Sequence, residues 1–363
     1  MNKRRFGLAA LFLAVITACS SAAAKSIVLG GYPDRLLLVD EERGVLTDRI
    51  TLESGLPVTM QMANDGSRIY ITTITTSGIE VFDTAQRKII NSFSLNTPTT
   101  RYRIGGGAPD PTGRYLYTIG TRIDKELDHY RVSDLQYLVI DLEERKVVRS
   151  ADVDEKDSGS RWRAQLLVSE DGKTLYILRD KVLVLDTDTL KVVDRIELST
   201  PAEPGMRDVT FGSSIDSLRT PDEYVSVFNA EDPYIHNKVF GIARFHLNSR
   251  TFSFTPIGPA PDRMSGLAVT PDGKTAYSVT SHGTLGNKRC EFWRFDLATN
   301  KATRKEEFPC RSRFTFGMSS NGKKLYIYAA GFEVEVYNAD TLKLERVWNL
   351  NNDITGAGML FVK

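Results

Sequence analysis

The sequence predicts an all-β fold, a seven-bladed β-propeller of four-stranded antiparallel blades, and three repeating patterns carry that prediction. A glycine turn is followed four residues later by tyrosine in five places: Gly66 to Tyr70, Gly113 to Tyr117, Gly172 to Tyr176, Gly273 to Tyr277 and Gly322 to Tyr326. An apolar run ends in a turn residue seven times, at Asp40, Asp83, Asp141, Asp186, His246, Asp296 and Asn338, spaced 42 to 60 residues apart. A further apolar strand falls at residues 57–63, 103–110, 163–169, 207–213, 264–270, 313–319 and 356–362. One such unit is a four-stranded sheet that cannot bury both faces alone, so copies must stack.

Residues 163–198 spell out one unit. Asp171-Gly172 is a tight-turn pair between apolar runs, the strongest short hairpin signal a sequence offers. Strands follow at 175–178 and 182–185, the second closed by Asp186, and then at 191–198, where Val193, Ile196 and Leu198 alternate imperfectly. The fourth unit is degenerate: its first turn spreads over residues 214–223, before a strand at 223–229. The ends of the chain are complementary. Residues 26–32 look like a second strand with no first, and residues 356–362 like a first strand with no second. The C-terminal strand is therefore expected to complete the N-terminal blade and close the ring, leaving no open edge.

Residues 1–24 read as a signal peptide. Lys3, Arg4 and Arg5 precede an apolar run over residues 6–18 that is too short to span a bilayer comfortably. Ala22-Ala23-Ala24 before Lys25 fits ordinary signal peptidase, whereas Ile16-Thr17-Ala18-Cys19 resembles a lipobox that would leave Cys19 lipidated. Either reading exports the protein to the periplasm, the second with a membrane anchor, and leaves residues 25–363 to form the propeller. No later segment has the composition of a membrane span. With 47 basic and 46 acidic residues the net charge is +1, which gives no electrostatic argument for nucleic acid.

Beyond Cys19 there are two cysteines, Cys290 and Cys310. They flank a predicted hairpin centred near residues 296–301, and folding it brings them together near its open end. In an oxidising compartment a disulfide follows, the alternative being two buried free thiols. Two cysteines without a clustered third ligand do not make a zinc site.

The histidines are His129, His236, His246 and His282. None belongs to a His-Glu-x-x-His or Cys-x-x-Cys-His pattern, and there is no nucleophile elbow or phosphate loop, so the motifs name no catalytic or metal-binding residue. His246 stands at a turn position. The other three fall in three long insertions, at residues 122–135, 230–238 and 281–289. In a four-stranded meander the loops alternate between faces, which puts all three insertions on one face, where binding usually resides. Arg103, Arg163, Arg207, Arg263 and Arg313 recur near the starts of the innermost strands. A ring of guanidinium groups there suits a carboxylate or an acidic partner surface; otherwise each caps local carbonyls or pairs with a neighbour such as Asp208 or Asp262. Gly105-Gly106-Gly107 reads as crowding at the centre of the ring, or as close approach of a ligand. The repeated tyrosines read as packing between blades.

The repeat resembles the YVTN-type propellers of exported bacterial proteins. Within that group it is similar to the β subunit of quinohemoprotein amine dehydrogenase, through Ser94-Leu95-Asn96-Thr97-Pro98, Pro111-Thr112-Gly113-Arg114-Tyr115-Leu116, and most specifically Glu126-Leu127-Asp128-His129-Tyr130-Arg131-Val132. The opening Tyr32-Pro33-Asp34-Arg35-Leu36 is also similar. That resemblance implies a periplasmic complex oxidising primary amines. A small subunit would carry a cysteine-derived quinone cofactor and a di-haem subunit two c-type haems, with no cofactor in the propeller itself. Glu126, His129 and Tyr130 would then shape a partner interface or pocket wall, and no catalytic residue carries over. The possible lipobox and the Cys290/Cys310 pair depart from the pattern. They keep open a stand-alone exported propeller lipoprotein for binding or protein interaction, or a lactonase-like enzyme.

The cysteine reading yields a direct test. The Cα atoms of Cys290 and Cys310 should lie about 4.4–6.8 Å apart, and reduction should cost about 3 kcal/mol of stability. Alkylation and intact-mass measurement of the exported protein should find no free thiol, and two alkylated cysteines would overturn the bridge.

Overall fold

The computed structural model describes residues 25–158, 164–179, 181–197, 207–211 (backbone only), 222–231 and 237–362. Residues 1–24 with Cys19, as well as Arg163, His236 and the centre of the 230–238 insertion, lie outside the described residues. Those described form an all-β structure, apart from short 3-10 turns at Glu155–Asp157 and Leu285–Asn287. Among them no helix is long and apolar enough to cross a membrane.

The strands form six hydrogen-bonded sheets, five with four or five strands and a sixth with seven. Each of the five is built from consecutive strands, as in Pro57–Met62, Arg68–Thr73, Gly78–Asp83 and Lys88–Ser94. The larger sheet has the order Thr315–Met318, Lys324–Tyr328, Gly331–Asn338, Leu344–Val362, Ser26–Gly31, Arg35–Asp40, Leu46–Thr51. Its central strand is 19 residues long and changes partner along its length. Val347 and Trp348 face Glu335 and Val334, whereas Met359 to Val362 face Leu29 to Ser26. The expected pairing of the two chain ends is therefore present. It is made by the continuation of the preceding strand rather than by a separate one. Two other inner strands differ from expectation. The one at 264–270 is broken into Arg263–Met264 and Ala268–Val269, and the one at 103–110 begins earlier, as Thr100–Pro109.

The turns explain the sequence repeat. The glycines four residues before the repeated tyrosines all have φ between 69° and 73°, a region an L-residue enters only at a cost. At the second repeated turn the aspartate carboxylate accepts backbone N–H groups two and three residues on. Asp141 Oδ1 takes those of Glu143 and Glu144 at 2.9 Å each, and Asp40 Oδ1 those of Glu42 and Arg43 at 3.1 and 2.7 Å. Four residues after every such turn residue the chain is left-handed, at Gly44, Arg87, Arg145, Leu190, Arg250, Asn300 and Leu342. Six of these turns are followed by a register shift between the third and fourth strands. At the turn headed by His246 the shift is displaced: His246 pairs with Thr251 and Phe245 with Phe252, and the register changes only between Phe240 and Gly241. Histidine lacks the short oxygen that caps the turn in the other six.

The core lies between sheets. Tyr176, Val182 and Val184 pack against Tyr224, Phe228 and Phe245 of the next sheet, and the repeated tyrosines are buried in such contacts. Of seven apolar clusters among the described residues, six join sequence-adjacent strand sets. The seventh gathers Tyr326, Val334, Val336 and Trp348 with Ile27, Leu29, Leu37 and Val39, from opposite ends of the chain. Polar bonds reinforce that seam: Ser320 N and Oγ both donate to the Glu41 carboxylate at 2.7 Å, and Arg346 Nη2 donates to Glu42 O at 2.7 Å. Gly44 sits against Trp348, whose indole lies 2.1 Å from where a Cβ would be.

Cys290 and Cys310 form the expected disulfide, with Cα atoms 5.3 Å apart, a bond that fits an oxidising, exported environment. A buried carboxylate was not foreseen. Glu80 is fully buried, and its Oε1 accepts Ser54 N and Oγ at 2.7 Å each, tying the 52–56 connection to the strand Gly78–Asp83. Its Oε2 has no hydrogen-bond partner among the described residues, and burial pushes the carboxyl above its ordinary range.

Two outcomes follow. Truncation after Asn351 removes the buried Ile354, Ala357, Met359 and Val362. At about 2–5 kcal/mol for each large side chain, the loss should unfold the whole structure, and an unchanged melting temperature would contradict this role for the C-terminal strand. Because the folded state holds the Glu80 proton more tightly than the unfolded chain, its contribution is fully present below the ordinary glutamate pKa. It is lost as pH rises through the raised value. Glu80→Gln keeps the acceptor for Ser54 and removes the charge. It should raise the melting temperature by a few degrees near pH 8 and leave it little changed near pH 4; a variant less stable at both would show the ionised form to be favoured.

Candidate functional site

Strand alternation sets two faces apart. The short capped turns lie on one, and the connections that enter the innermost strands lie on the other, together with the insertions. On this second face the 122–135 insertion is a β-hairpin. Tyr115–Lys125 outruns its partner Gln136–Asp141, and beyond Gly120 its residues Ile123 to Lys125 pair with Val132 to Tyr130. Its other edge is held by Thr100–Pro109, so the hairpin is the raised end of a blade sheet rather than a loose loop.

The hairpin tip contains all three residues singled out by the family-like motif. Glu126 N–H donates to His129 O at 2.9 Å and closes the turn. His129 Nδ1 lies 2.7 Å from Asp128 Oδ1, its Nε2 3.7 Å from Glu126 Oε2, and Arg131 Nη2 2.8 Å from Glu126 Oε1. These exposed pairs are each worth about 0–1 kcal/mol. The carboxylates beside His129 were not anticipated. They lie in open solvent, and no described hydroxyl or thiol is hydrogen-bonded to the ring, so the arrangement lacks the nucleophile of a catalytic triad. Leu127, Tyr130 and Val132 are 107%, 64% and 60% exposed.

The other histidines are not brought to it. His282 lies in a different sheet, 3.9 Å from Asp262, and His246 is at its turn on the opposite face, 3.8 Å from Glu223. Among the described residues no three His, Cys, Asp or Glu side chains could hold a metal ion.

The arginine ring is visible only in part. Arg103 is exposed within Thr100–Pro109, opposite Thr121. Arg207 and Arg263 each open their strands, and Arg313 stands two residues before Thr315–Met318. Arg263 and Arg313 are exposed and form no ion pair with a described residue. The neighbour Asp262 accepts Gly283 N–H at 3.0 Å instead. In Gly105-Gly106-Gly107, crowding holds for Gly107, where a Cβ would meet Tyr117 O at 2.9 Å, but at Gly105 nothing lies within 4 Å.

Two further features of this face had no sequence signal. Arg195 Nη2 bonds the Asp157 carboxylate at 2.8 Å, and Lys181 Nζ lies 3.6 Å away, with the Asp157 side chain fully buried. Burial works to raise that carboxyl, but the hydrogen bonds and charges of Arg195 and Lys181 hold it below its ordinary range. The second is a cleft of about 370 Å³ where the chain ends meet, lined by Tyr32, Leu56, Arg313, Phe314, Asp353 and Ile354 among others.

No protein-family model matches the chain, and no curated protein is similar to it in sequence. Solved structures are similar to it in fold. Dihydro-heme d1 dehydrogenase NirN, in complex with DHE, is 11% identical over 93% of this chain and 75% of its own, with a TM-score of 0.54. Apo AztD from Citrobacter koseri is 12% identical, covering 93% and 98% of the two chains at a TM-score of 0.52. A putative 6-phosphogluconolactonase from Bacteroides fragilis is 14% identical, covering 95% and 99% at 0.51. Likeness at these identities is one of fold: the chain is a β-propeller.

Proposed function

We propose that this chain is a seven-bladed propeller subunit, itself non-catalytic, of an exported complex that oxidises primary amines, and that it docks its partners on the insertion-bearing face. The seven-blade count takes the seven-stranded sheet as two blades that share Leu344–Val362, one using its first half and the other its second. Seven clusters among the described residues, six between sequence-adjacent strand sets and one between the two ends of the chain, support that count, since a closed ring has as many interfaces as blades.

The observation that carries the docking role is the raised hairpin, with Leu127, Tyr130 and Val132 held in solvent. An ordered strand extension that exposes a tyrosine and two aliphatic side chains has the composition of an interface anchor. Its motif is also the most specific point of resemblance to the amine dehydrogenase β subunit. In this reading a small subunit supplies the quinone that takes the electrons of the amine, and a di-haem subunit passes them on. This chain supplies the platform, with Glu126 and His129 at its rim. Arg103 and Arg263 add positive charge on the same face for an acidic surface, so association should weaken as salt rises. The Cys290–Cys310 bridge and the leader-like residues 1–24 support an exported setting. Soluble release and anchoring through Cys19 both fit it.

The test is recovery of haem-bearing and small quinone-bearing chains with the tagged protein from its native host. Leu127→Asp, Tyr130→Ala and Arg103→Glu together should lower the haem absorbance recovered by at least about tenfold, as loss of anchor residues does, with the thermal melt unchanged. Undiminished recovery would overturn the docking face. Recovery of no haem chain by the unaltered protein would favour the stand-alone propeller, and amine oxidation or lactone opening by the purified chain alone would end the non-catalytic reading.

A further inference from the structure

The cleft at the meeting of the chain ends has the features of a small-molecule site. At about 370 Å³ it falls within the ~300–1,000 Å³ of such sites. Its wall is assembled from five separate segments: Tyr32 after the first strand, Leu56, the run Arg313 to Thr315, Ala329-Ala330, and residues 353–356. Two opposite charges line it, those of Arg313 and Asp353. They form no ion pair with each other, and neither side chain is engaged by any described residue. Two neighbouring cations are already committed: Lys288 Nζ donates to Arg311 O at 2.9 Å and lies over the Phe314 ring, and Arg311 is 3.8 Å from Glu335. Leu56, Phe314 and Ile354 make the remaining wall largely apolar.

The backbone here is strained. Ala329 and Ala330 are consecutive L-residues with φ of 76° and 53°, a conformation that single residues of this kind seldom adopt. The strain is held by Ala330 N–H donating to Ile354 O at 3.0 Å, while Tyr32 N–H donates to Asp353 O at 2.9 Å. Strained backbone held by its surroundings is concentrated at ligand-binding walls.

We infer that this cleft binds a small zwitterion with an apolar side chain, of the α-amino-acid class, whose carboxylate meets Arg313 and whose ammonium meets Asp353. A ligand with both charges satisfies both side chains. One with a single charge engages only one of the two side chains. The site is complete within this chain, so the inference does not depend on any partner subunit. Because the wall joins both ends of the chain, occupancy stabilises the fold by mass action.

Calorimetric titration of the purified mature chain decides it, with L-phenylalanine, 3-phenylpropanoate and phenethylamine as probes. L-Phenylalanine should bind saturably at one site and raise the melting temperature, and each singly charged probe should bind at least about tenfold more weakly. Arg313→Gln should weaken L-phenylalanine by a similar factor and abolish its advantage over phenethylamine. Asp353→Asn should abolish its advantage over 3-phenylpropanoate. The ranking of probes on the unaltered protein decides the matter even where a variant folds poorly. No saturable binding of L-phenylalanine, equal binding of all three probes, or undiminished binding in both variants would each overturn the site.

Discussion

The strand Leu344–Val362 holds this molecule together, because it hydrogen-bonds to Gly331–Asn338 through one half and to Ser26–Gly31 through the other. The apolar clusters lie between neighbouring strand sets, so each set depends on the next for its core. The first and last sets of strands meet the same requirement only by finding each other across the whole chain. The contacts that join them are accordingly varied: a shared strand, an aromatic cluster around Tyr326 and Trp348, and the Glu41–Ser320 bonds. A pairing between segments so far apart in sequence is slow to find.

That pairing also makes the cleft. The chain must turn at residues 351–353 to pass from one partner strand to the next, and Asn351 takes a φ of 48° to do so. The turn carries Asp353 and Thr355 to the same opening as Tyr32 and Arg313. A requirement of the fold thus gathers residues far apart in sequence, in a place where neither charge acquires a partner among the described residues.

The two faces meet different physical demands. On the capped-turn face, each aspartate or asparagine fixes its turn through backbone N–H groups, as at Asp141 and Asn338. Local bonding of that kind leaves little freedom for elaboration. The opposite face carries connections between strands that need not be tight, and there the Tyr115–Lys125 strand can extend and fold back. Its apolar tip has no counterpart in the buried-tyrosine pattern below it, where Tyr117 of the same strand is in the core.

By itself the sequence determined what depends on neighbouring residues. Strand and turn positions, the left-handed glycines at 66, 113, 172, 273 and 322, and the Cys290–Cys310 bridge follow from turn chemistry and hairpin geometry, each acting over a few residues. The pairing of the chain ends was also legible, because a strand missing at one end matched a strand left over at the other. The family-like motif located the hairpin, but not its apolar exposure, since Leu127 and Val132 read equally well as core residues. Only the tertiary structure decided which side chains lost or kept a partner. Glu80 is buried on Ser54, Asp157 on Arg195, and Arg313 and Asp353 line one cleft unpaired, through contacts between segments 26 to 40 residues apart. No local pattern encodes these, because burial and charge pairing are set by which sheets meet, and that is fixed only when the ends of the chain come together.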